Sequence, residues 1–172
     1  MLKMKNGNTD KGDALYREEQ RFTQWFVWAL LLGVLAIPTY GVYRQIIQER
    51  PFGSNPMPDT GLLIFFLITV GVCVFFWWIR LRTSISNEYI HIHYAPLVNK
   101  KIFWRDVTQA EIVTYSPLIG YGLRIWTPYG TVYNVKGRKG LFMILKNGKK
   151  VMIGTQRPRE IEEVVRKVMK SV

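Results

Sequence analysis

This sequence has few of the residues on which disulfides and metal sites depend. It contains one cysteine, Cys73, and two histidines among 172 residues. A single thiol excludes a disulfide within the chain, and a structural zinc site needs four protein ligands. Acidic residues are also scarce, with 12 Asp and Glu against 24 Lys and Arg, which gives a net charge of +12. A chain this basic has natural partners among anionic lipids, nucleic acids and acidic proteins.

Charge is missing altogether from two long runs in the first half of the chain. Residues 25–43 and 61–79 contain no charged side chain over 19 residues each. At about 1.5 Å per residue a helix of this length spans roughly 28 Å, close to the hydrocarbon thickness of a bilayer. A buried helix of a soluble core and a cleaved signal peptide are the alternatives. The length of both runs disfavours the first, and the lack of a small-residue cleavage site after residue 43 disfavours the second.

The runs divide the chain into five predicted segments. These are a cytosolic N-terminal segment 1–24, a transmembrane helix 25–43, an external loop 44–60, a transmembrane helix 61–79 and a cytosolic domain 80–172. Basic residues precede the first run and follow the second run, at Lys3, Lys5, Lys11, Arg17, Arg21, Arg80 and Arg82. The connecting loop balances its two arginines with Glu49 and Asp59. The positive-inside rule therefore predicts that both termini are cytoplasmic.

The second half changes to the period of two that is typical of β-strands. Residues 88–95 alternate so that Ile90, Ile92 and Tyr94 share one face. Further strands are predicted in "AEIVTYS", "GLRIWT" and "TVYNV", the last two joined by a Pro-Tyr-Gly turn. Asn147-Gly148 predicts a two-residue type I′ hairpin between strands 141–146 and 149–154. About seven short strands in all are expected.

One helix closes the chain. Pro158 suits its first turn, and Ile161, Val164, Val165 and Val168 form an apolar stripe spaced by three and four residues. A single amphipathic helix after several short strands packs onto an open end or face of a sheet.

The order of these motifs resembles a known family. "ISNEYIHIHYAP", "WRDV", "YNVKGRKG" and "LKNGKKVMIGTQRP" follow the two runs, while "EEQRF" and "PFGSNPMPD" lie before and between them. This order is similar to that of an uncharacterised group of small bacterial two-span membrane proteins with a C-terminal PH-like (pleckstrin-homology-like) domain. The resemblance implies a two-span α-helical hairpin, a small β-rich PH-like domain with one C-terminal helix, and a bacterial inner-membrane location. It implies no activity.

No catalytic or cofactor-binding constellation is visible in the sequence. His91 and His93 share one face of a strand, but a metal site needs further ligands, and nothing in the spacing of Glu88 or Glu111 supplies them. The predicted spans contain no Asp, Glu, Lys, Arg or His, so a transporter acting alone is not expected. Glycine-rich phosphate-binding patterns are also absent. The sequence therefore predicts neither an enzyme nor a bound cofactor or metal.

The surplus charge lies in the domain. From Arg80 onward there are 17 basic and six acidic residues, a net charge of +11. No helix-turn-helix or RNA-binding aromatic pattern accompanies this charge, so nucleic acid is not an expected partner. Antiparallel pairing of 141–146 with 149–154 places "GTQRPR" beside "YNVKGRKG", which gathers five cations beside a helix N-terminus. We name this group the basic pole: Lys136, Arg138, Lys139, Arg157 and Arg159.

Two functions are compatible with these patterns. The first is a membrane-anchored binding or scaffolding module whose basic pole contacts anionic lipid head groups or an acidic protein. The second is an accessory subunit of a membrane enzyme or transporter complex. A homo-oligomer is compatible with the sequence, although the spans contain no Gly-x-x-x-Gly pairing motif. A solvated basic turn without a ligand is the simplest alternative for the pole itself.

Overall fold

The structure of the protein, a computed structural model, describes residues 14–115 and 121–170. The predicted N-terminal segment is therefore described only from residue 14, and Lys3, Lys5 and Lys11 lie outside the described residues. The described chain forms two units. Residues 22–79 make a helical unit, and residues 14–21 together with 80–170 make a β-rich unit.

The helical unit contains the two uncharged runs. Its elements are helix α1 (Trp25–Val42), a π-helical turn (Tyr43–Ile47) and helix α2 (Asp59–Trp78). Both helices are long and apolar enough to cross a membrane. Their large side chains are mostly exposed, with Leu30 at 69%, Leu67 at 64% and Trp77 at 66%. The core helix of a soluble protein buries most of its apolar residues, whereas these two helices expose most of theirs.

Gly41 lies at a close contact between α1 and α2. A Cβ atom at this position would lie 3.1 Å from Leu62 Cδ1 on α2 and 3.0 Å from Phe52 Cδ1. Leu62 is fully buried by this packing. Gly33 and Gly71 would meet nothing within 4 Å, so of these three glycines only Gly41 brings the two helices together.

The β-rich unit consists of two sheets and one helix. The first sheet has four antiparallel strands in chain order: β1 (Tyr16–Arg21), β2 (Arg80–Ile85), β3 (Tyr89–Ala95) and β4 (Val98–Phe103). The second has the order β5-β8-β9-β7-β6: β5 (Val107–Thr114), β6 (Gly122–Thr127), β7 (Gly130–Asn134), β8 (Lys139–Leu145) and β9 (Lys150–Gly154). Helix α3 (Pro158–Met169) follows. The described residues thus form nine strands rather than about seven.

The helical unit is inserted between two paired strands. β1 precedes α1 and β2 follows α2, yet the two strands pair along their full length, from Tyr16 with Ile85 to Arg21 with Arg80. The predicted domain boundary at residue 80 therefore omits one strand of the sheet. Sequence reasoning missed β1 because its inward positions, Tyr16, Glu18 and Gln20, are mostly polar and give no apolar alternation.

The apolar faces lie where the sequence predicts them. Ile90, Ile92 and Tyr94 are buried on one side of β3. α3 begins at Pro158 and packs on β8, β5 and β1. Of its predicted stripe, Ile161, Val165 and Val168 are buried, and Val164 is half-buried.

The hairpin between β8 and β9 is confirmed, but its turn is not the predicted two-residue type I′. Type I′ requires a positive φ at both Asn147 and Gly148, and only Gly148 has one, at 75°. Gly148 N donates to Leu145 O (2.8 Å) and Leu145 N donates to Lys149 O (2.9 Å). This pattern is a type I turn followed by a left-handed glycine, which is the usual three-residue hairpin loop.

Substitutions at two glycines distinguish the stability cost of backbone strain from that of a steric clash. Gly148→Ala places a side chain at positive φ in open space, so we expect it to lower the free energy of unfolding by about 1–2 kcal/mol. Gly130→Ala combines a φ of 73° with a Cβ only 2.1 Å from Lys150 O, and we expect it to cost at least about 3 kcal/mol. Urea denaturation of the detergent-solubilised full chain, followed by circular dichroism of the β-sheet, measures both. Equal losses would contradict the close approach of β7 and β9.

Candidate functional site

The loop within "YNVKGRKG" crosses the end of a strand. β9 lies between β7 and β8 in the second sheet, so residues 135–138 pass over the end of β9 to connect them. Gly137 has a φ of 93°, and a Cβ there would lie 2.9 Å from Gln156 Nε2. At Gly140 a Cβ would lie 2.8 Å from Ile153 O. Positive φ therefore favours glycine at 137, and the close approach of the Ile153 backbone requires it at 140, so neither glycine needs a bound phosphate to explain it.

Hydrogen bonds to its carbonyl groups fix this loop. Gln156 Nε2 donates to Lys136 O, Tyr115 Oη donates to Gly137 O (3.3 Å), and Tyr115 N donates to Arg138 O (2.9 Å). The next carbonyl, that of Lys139, accepts from Thr155 N at 2.9 Å. Four consecutive carbonyls are thus held by 115 and 155–156, which confirms that "GTQRPR" lies beside "YNVKGRKG".

The basic pole divides into two kinds of cation. Lys136, Arg138, Lys139 and Arg159 are exposed at the surface. Arg157 is also exposed, but its guanidinium contacts other groups of the protein. Its Nη1 donates to Glu160 Oε2 (2.9 Å), its Nη2 donates to the carbonyl of Arg17, and its Cζ lies 4.9 Å from the centre of the Tyr16 ring.

A buried carboxylate lies behind the pole. Glu18 on β1 is buried, with only 6% of the residue exposed to solvent. Its oxygens accept from Thr155 Oγ1 (2.7 Å), from Gln156 N (2.7 Å) and from the Tyr16 hydroxyl. Gln20 Nε2 donates to Gly154 O (2.7 Å) one pleat further along β1. β1 is therefore bound to the segment that joins β9 to α3, and this segment is the base of the basic pole.

A half-open groove borders the pole. It has a volume of about 540 Å³ and lies between α3 and strands β5 and β8. Lys139 lines it together with Arg166 and Lys170, while Glu111 and Glu162 contribute acidic groups. Arg166 Nη2 is 2.8 Å from Glu162 Oε1. The groove thus extends the surface reached by Lys139 but mixes both signs of charge.

The two histidines lie on the first sheet. Their rings stack with centroids 6.4 Å apart, and His91 Nε2 is 2.6 Å from Asn99 Oδ1. Burial lowers the pKa of His93, and the charges of Arg82 and His91 lower it further. Glu111 pairs with Phe142 in the other sheet. Among residues 14–115 and 121–170, no group of three or more His, Cys, Asp or Glu is placed to hold a metal ion.

Comparison with known proteins adds no assignment. No protein-family model matches the chain, and no curated protein matches it.

Glu18 is the residue at this site whose removal should cost most stability. Glu18→Leu leaves three donors without an acceptor, and we expect a loss of about 3–5 kcal/mol in the free energy of unfolding. Glu18→Gln keeps one carbonyl acceptor and should cost less. The matched control is Glu163→Gln on the exposed side of α3, with an expected change within about 0.5 kcal/mol. Chemical denaturation of the full chain measures all three, and a neutral Glu18→Leu would contradict the network.

Alkaline pH should destabilise the β-rich unit through its buried tyrosines. Burial raises the pKa of Tyr94 and of Tyr115 to about 12, and burial and the bond to Glu18 raise the pKa of Tyr16. These phenols stay protonated in the folded chain while the unfolded chain loses their protons from about pH 10 upward. The stabilisation is therefore complete below pH 10 and is lost as the pH rises towards the folded pKa values. Each tyrosine contributes a slope of up to about 1.4 kcal/mol per pH unit.

Tyr115→Phe isolates one of these contributions. We expect the variant to show a shallower decline of unfolding free energy between pH 10 and 12, because it has one fewer phenol to titrate. Tyrosinate absorbance during an alkaline titration provides an independent reading. An unchanged slope would show that Tyr115 ionises normally in the folded state.

Proposed function

We propose that this protein is a membrane-anchored binding module and not an enzyme. In this proposal α1 and α2 cross the inner membrane of a bacterium, and the β-rich unit is a PH-like domain at the cytoplasmic surface. The observation that carries the proposal is the insertion of two exposed apolar helices between paired strands of a basic domain. The layout of two sheets and a C-terminal helix is compatible with the PH-like fold that the sequence resemblance implies.

The pairing of β1 with β2 supports an even number of crossings. Because the two strands exchange hydrogen bonds along their whole length, residues 21 and 80 lie on the same side of any membrane. A chain that leaves at 21 and returns at 80 either crosses twice or does not cross. The length and exposure of α1 and α2 favour two crossings. The basic residues that flank both helices favour the cytoplasmic side for the domain.

The same strand argues against a cleaved signal peptide. Cleavage after α1 would remove β1, because β1 precedes that helix. The domain would lose an edge strand together with Glu18, and the donors of 155 and 156 would lose their acceptor. Retention of α1 as an anchor is therefore the reading that keeps the β-rich unit intact.

The basic pole is the surface that we propose binds an anion. Lys136, Arg138 and Lys139 project from a loop whose carbonyls are already bonded, and Arg159 adds a fourth exposed cation. A cationic surface beside a bilayer attracts anionic lipid by about 1 kcal/mol per Lys or Arg. A lipid phosphate is therefore the proposed ligand. Arg157 contributes by holding β1 against this surface.

The test compares lipids retained by the full chain after extraction with a mild detergent. The full chain is needed because a fragment starting at residue 80 lacks β1. The variant changes Lys136, Arg138 and Lys139 to Ser, and the control removes the same charge from Lys100, Lys101 and Lys167. We expect wild type and control to retain anionic phospholipid over neutral phospholipid. The basic-pole variant should lose this preference by about tenfold or more.

Proteins that copurify distinguish the two candidate functions. A partner that is retained by wild type and lost from the basic-pole variant would favour an accessory subunit of a membrane complex. If wild type, the basic-pole variant and the control all retain the same amount of anionic lipid, the proposal for the basic pole is wrong. Extraction of the chain by alkaline carbonate, without detergent, would contradict the membrane anchor itself.

A further inference from the structure

The hairpin of β6 and β7 displays a tryptophan to solvent. Trp126 is 95% exposed, and its neighbour Ile125 is 60% exposed. β6 is the outermost strand of its sheet, and a bulge between Arg124 and Thr127 breaks its alternation. As a result three consecutive side chains, at 124, 125 and 126, are exposed on this edge. Because burying large apolar side chains is favourable, the exposure of Ile125 and Trp126 indicates a binding surface at this edge.

The backbone at Trp126 is strained. Its φ is 60°, a left-handed conformation that costs a bulky residue stability. Only one other non-glycine residue of the described chain, Glu49, has a positive φ. The strained conformation presents the indole instead of burying it, which is the opposite of what core packing would select.

The tip of this hairpin is held rigidly. Thr127 Oγ1 donates to Gly130 O (2.8 Å) and accepts from Tyr129 N (3.2 Å). The ring of Tyr129 meets that of Phe142 edge-on, with centroids 5.6 Å apart, and so joins the turn to a buried cluster. Trp126 is therefore presented from a fixed turn.

Positive charge surrounds the tip. Lys150 lies against Gly130, so closely that a Cβ on the glycine would clash with its carbonyl, and Lys149 precedes it in the exposed β8–β9 turn. Arg124 adds a cation on β6 itself. Neither the hairpin, residues 121–134, nor the turn, residues 145–150, contains an acidic side chain. Asp106 is the acidic residue beside that turn, since its carbonyl accepts from Lys146 N (2.8 Å).

We propose that this hairpin docks on the interface of an anionic lipid bilayer, with Trp126 and Ile125 inserted and Lys149, Lys150 and Arg124 at the phosphates. Indole prefers the membrane–water interface, and cations are attracted to anionic head groups. A stable protein interface buries about 800 Å² on each partner, whereas one aromatic and one aliphatic side chain supply only a few hundred. A lipid surface therefore fits this small, basic tip better than a second protein does. This surface is distinct from the basic pole, because it lies at the other end of β8. The inference rests on the proposed function, since it is the proposed anchor that brings the domain close to a bilayer.

The test uses the full chain in vesicles of phosphatidylcholine with and without phosphatidylglycerol. Cys73→Ala supplies a cysteine-free background, and Pro128→Cys at the tip carries an environment-sensitive dye. The matched control places the dye at Lys167→Cys, on the exposed side of α3. We expect spin-labelled lipid to quench the tip probe and not the control, and only in anionic vesicles. Adding Trp126→Ser, or Lys149→Ser with Lys150→Ser, should lower the docked-to-free ratio about tenfold or more.

Three results would overturn the inference. They are equal quenching of tip and control probes, quenching that Trp126→Ser leaves unchanged, and a tip probe that becomes shielded only in native membranes. The last would mean that a protein covers the hairpin. Flotation of the unlabelled chain is scored separately and tests the anchor. Flotation that required phosphatidylglycerol and was lost in Trp126→Ser would contradict the helical anchor while supporting the hairpin.

Discussion

The β-rich unit depends on one buried carboxylate. Glu18 comes from a strand that precedes both apolar helices, and its oxygens accept from residues more than a hundred positions later in the chain. An isolated buried carboxylate would be costly, but three donors compensate this one. The same contact fixes the segment 154–157, from which α3 starts and beside which the basic loop lies. The edge of the first sheet, the start of α3 and the base of the proposed site are thus one hydrogen-bonded assembly.

The parts of the fold that could be predicted are those with a simple apolar pattern. The two uncharged runs are apolar on all sides, the alternation around Ile92 has a period of two, and the stripe on α3 has a spacing of three and four. The structure has a helix or strand at each of these places. β1 could not be found in this way. Its inward side chains are polar and satisfy one another only through partners at 154–156, which are remote in sequence. Local pattern cannot reveal a strand whose inward face is stabilised by long-range hydrogen bonds.

The proximity of the two basic segments was predictable, but their detailed contacts were not. Hairpin geometry was sufficient to bring 155–157 beside the basic loop, because antiparallel pairing is local in sequence. The parallel pairing of β7 with β9 was not foreseen, so the loop was expected to be a simple turn. It is instead a crossover over the end of β9, and that is why Gly137 lies against the side chain of Gln156 and Gly140 against the backbone of Ile153. The engagement of Arg157 was also invisible, since its partners Tyr16 and Arg17 lie on the unpredicted strand. Counting charges therefore does not reveal that Arg157 already has partners within the protein.

Placing the helices between β1 and β2 also links folding to the proposed anchor. The two strands are separated by 58 residues, 22–79, and closing a flexible loop of that size would cost more entropy than closing a hairpin turn. The two packed helices α1 and α2 lead the chain from residue 21 back to residue 80. They therefore replace most of that flexible loop with regular structure. The contact between Gly41 and Leu62 packs α1 against α2. In this topology β1 pairs with β2 only where residues 22–79 bring Arg21 back beside Arg80. The Glu18 network then joins this edge strand to the segment from which α3 starts.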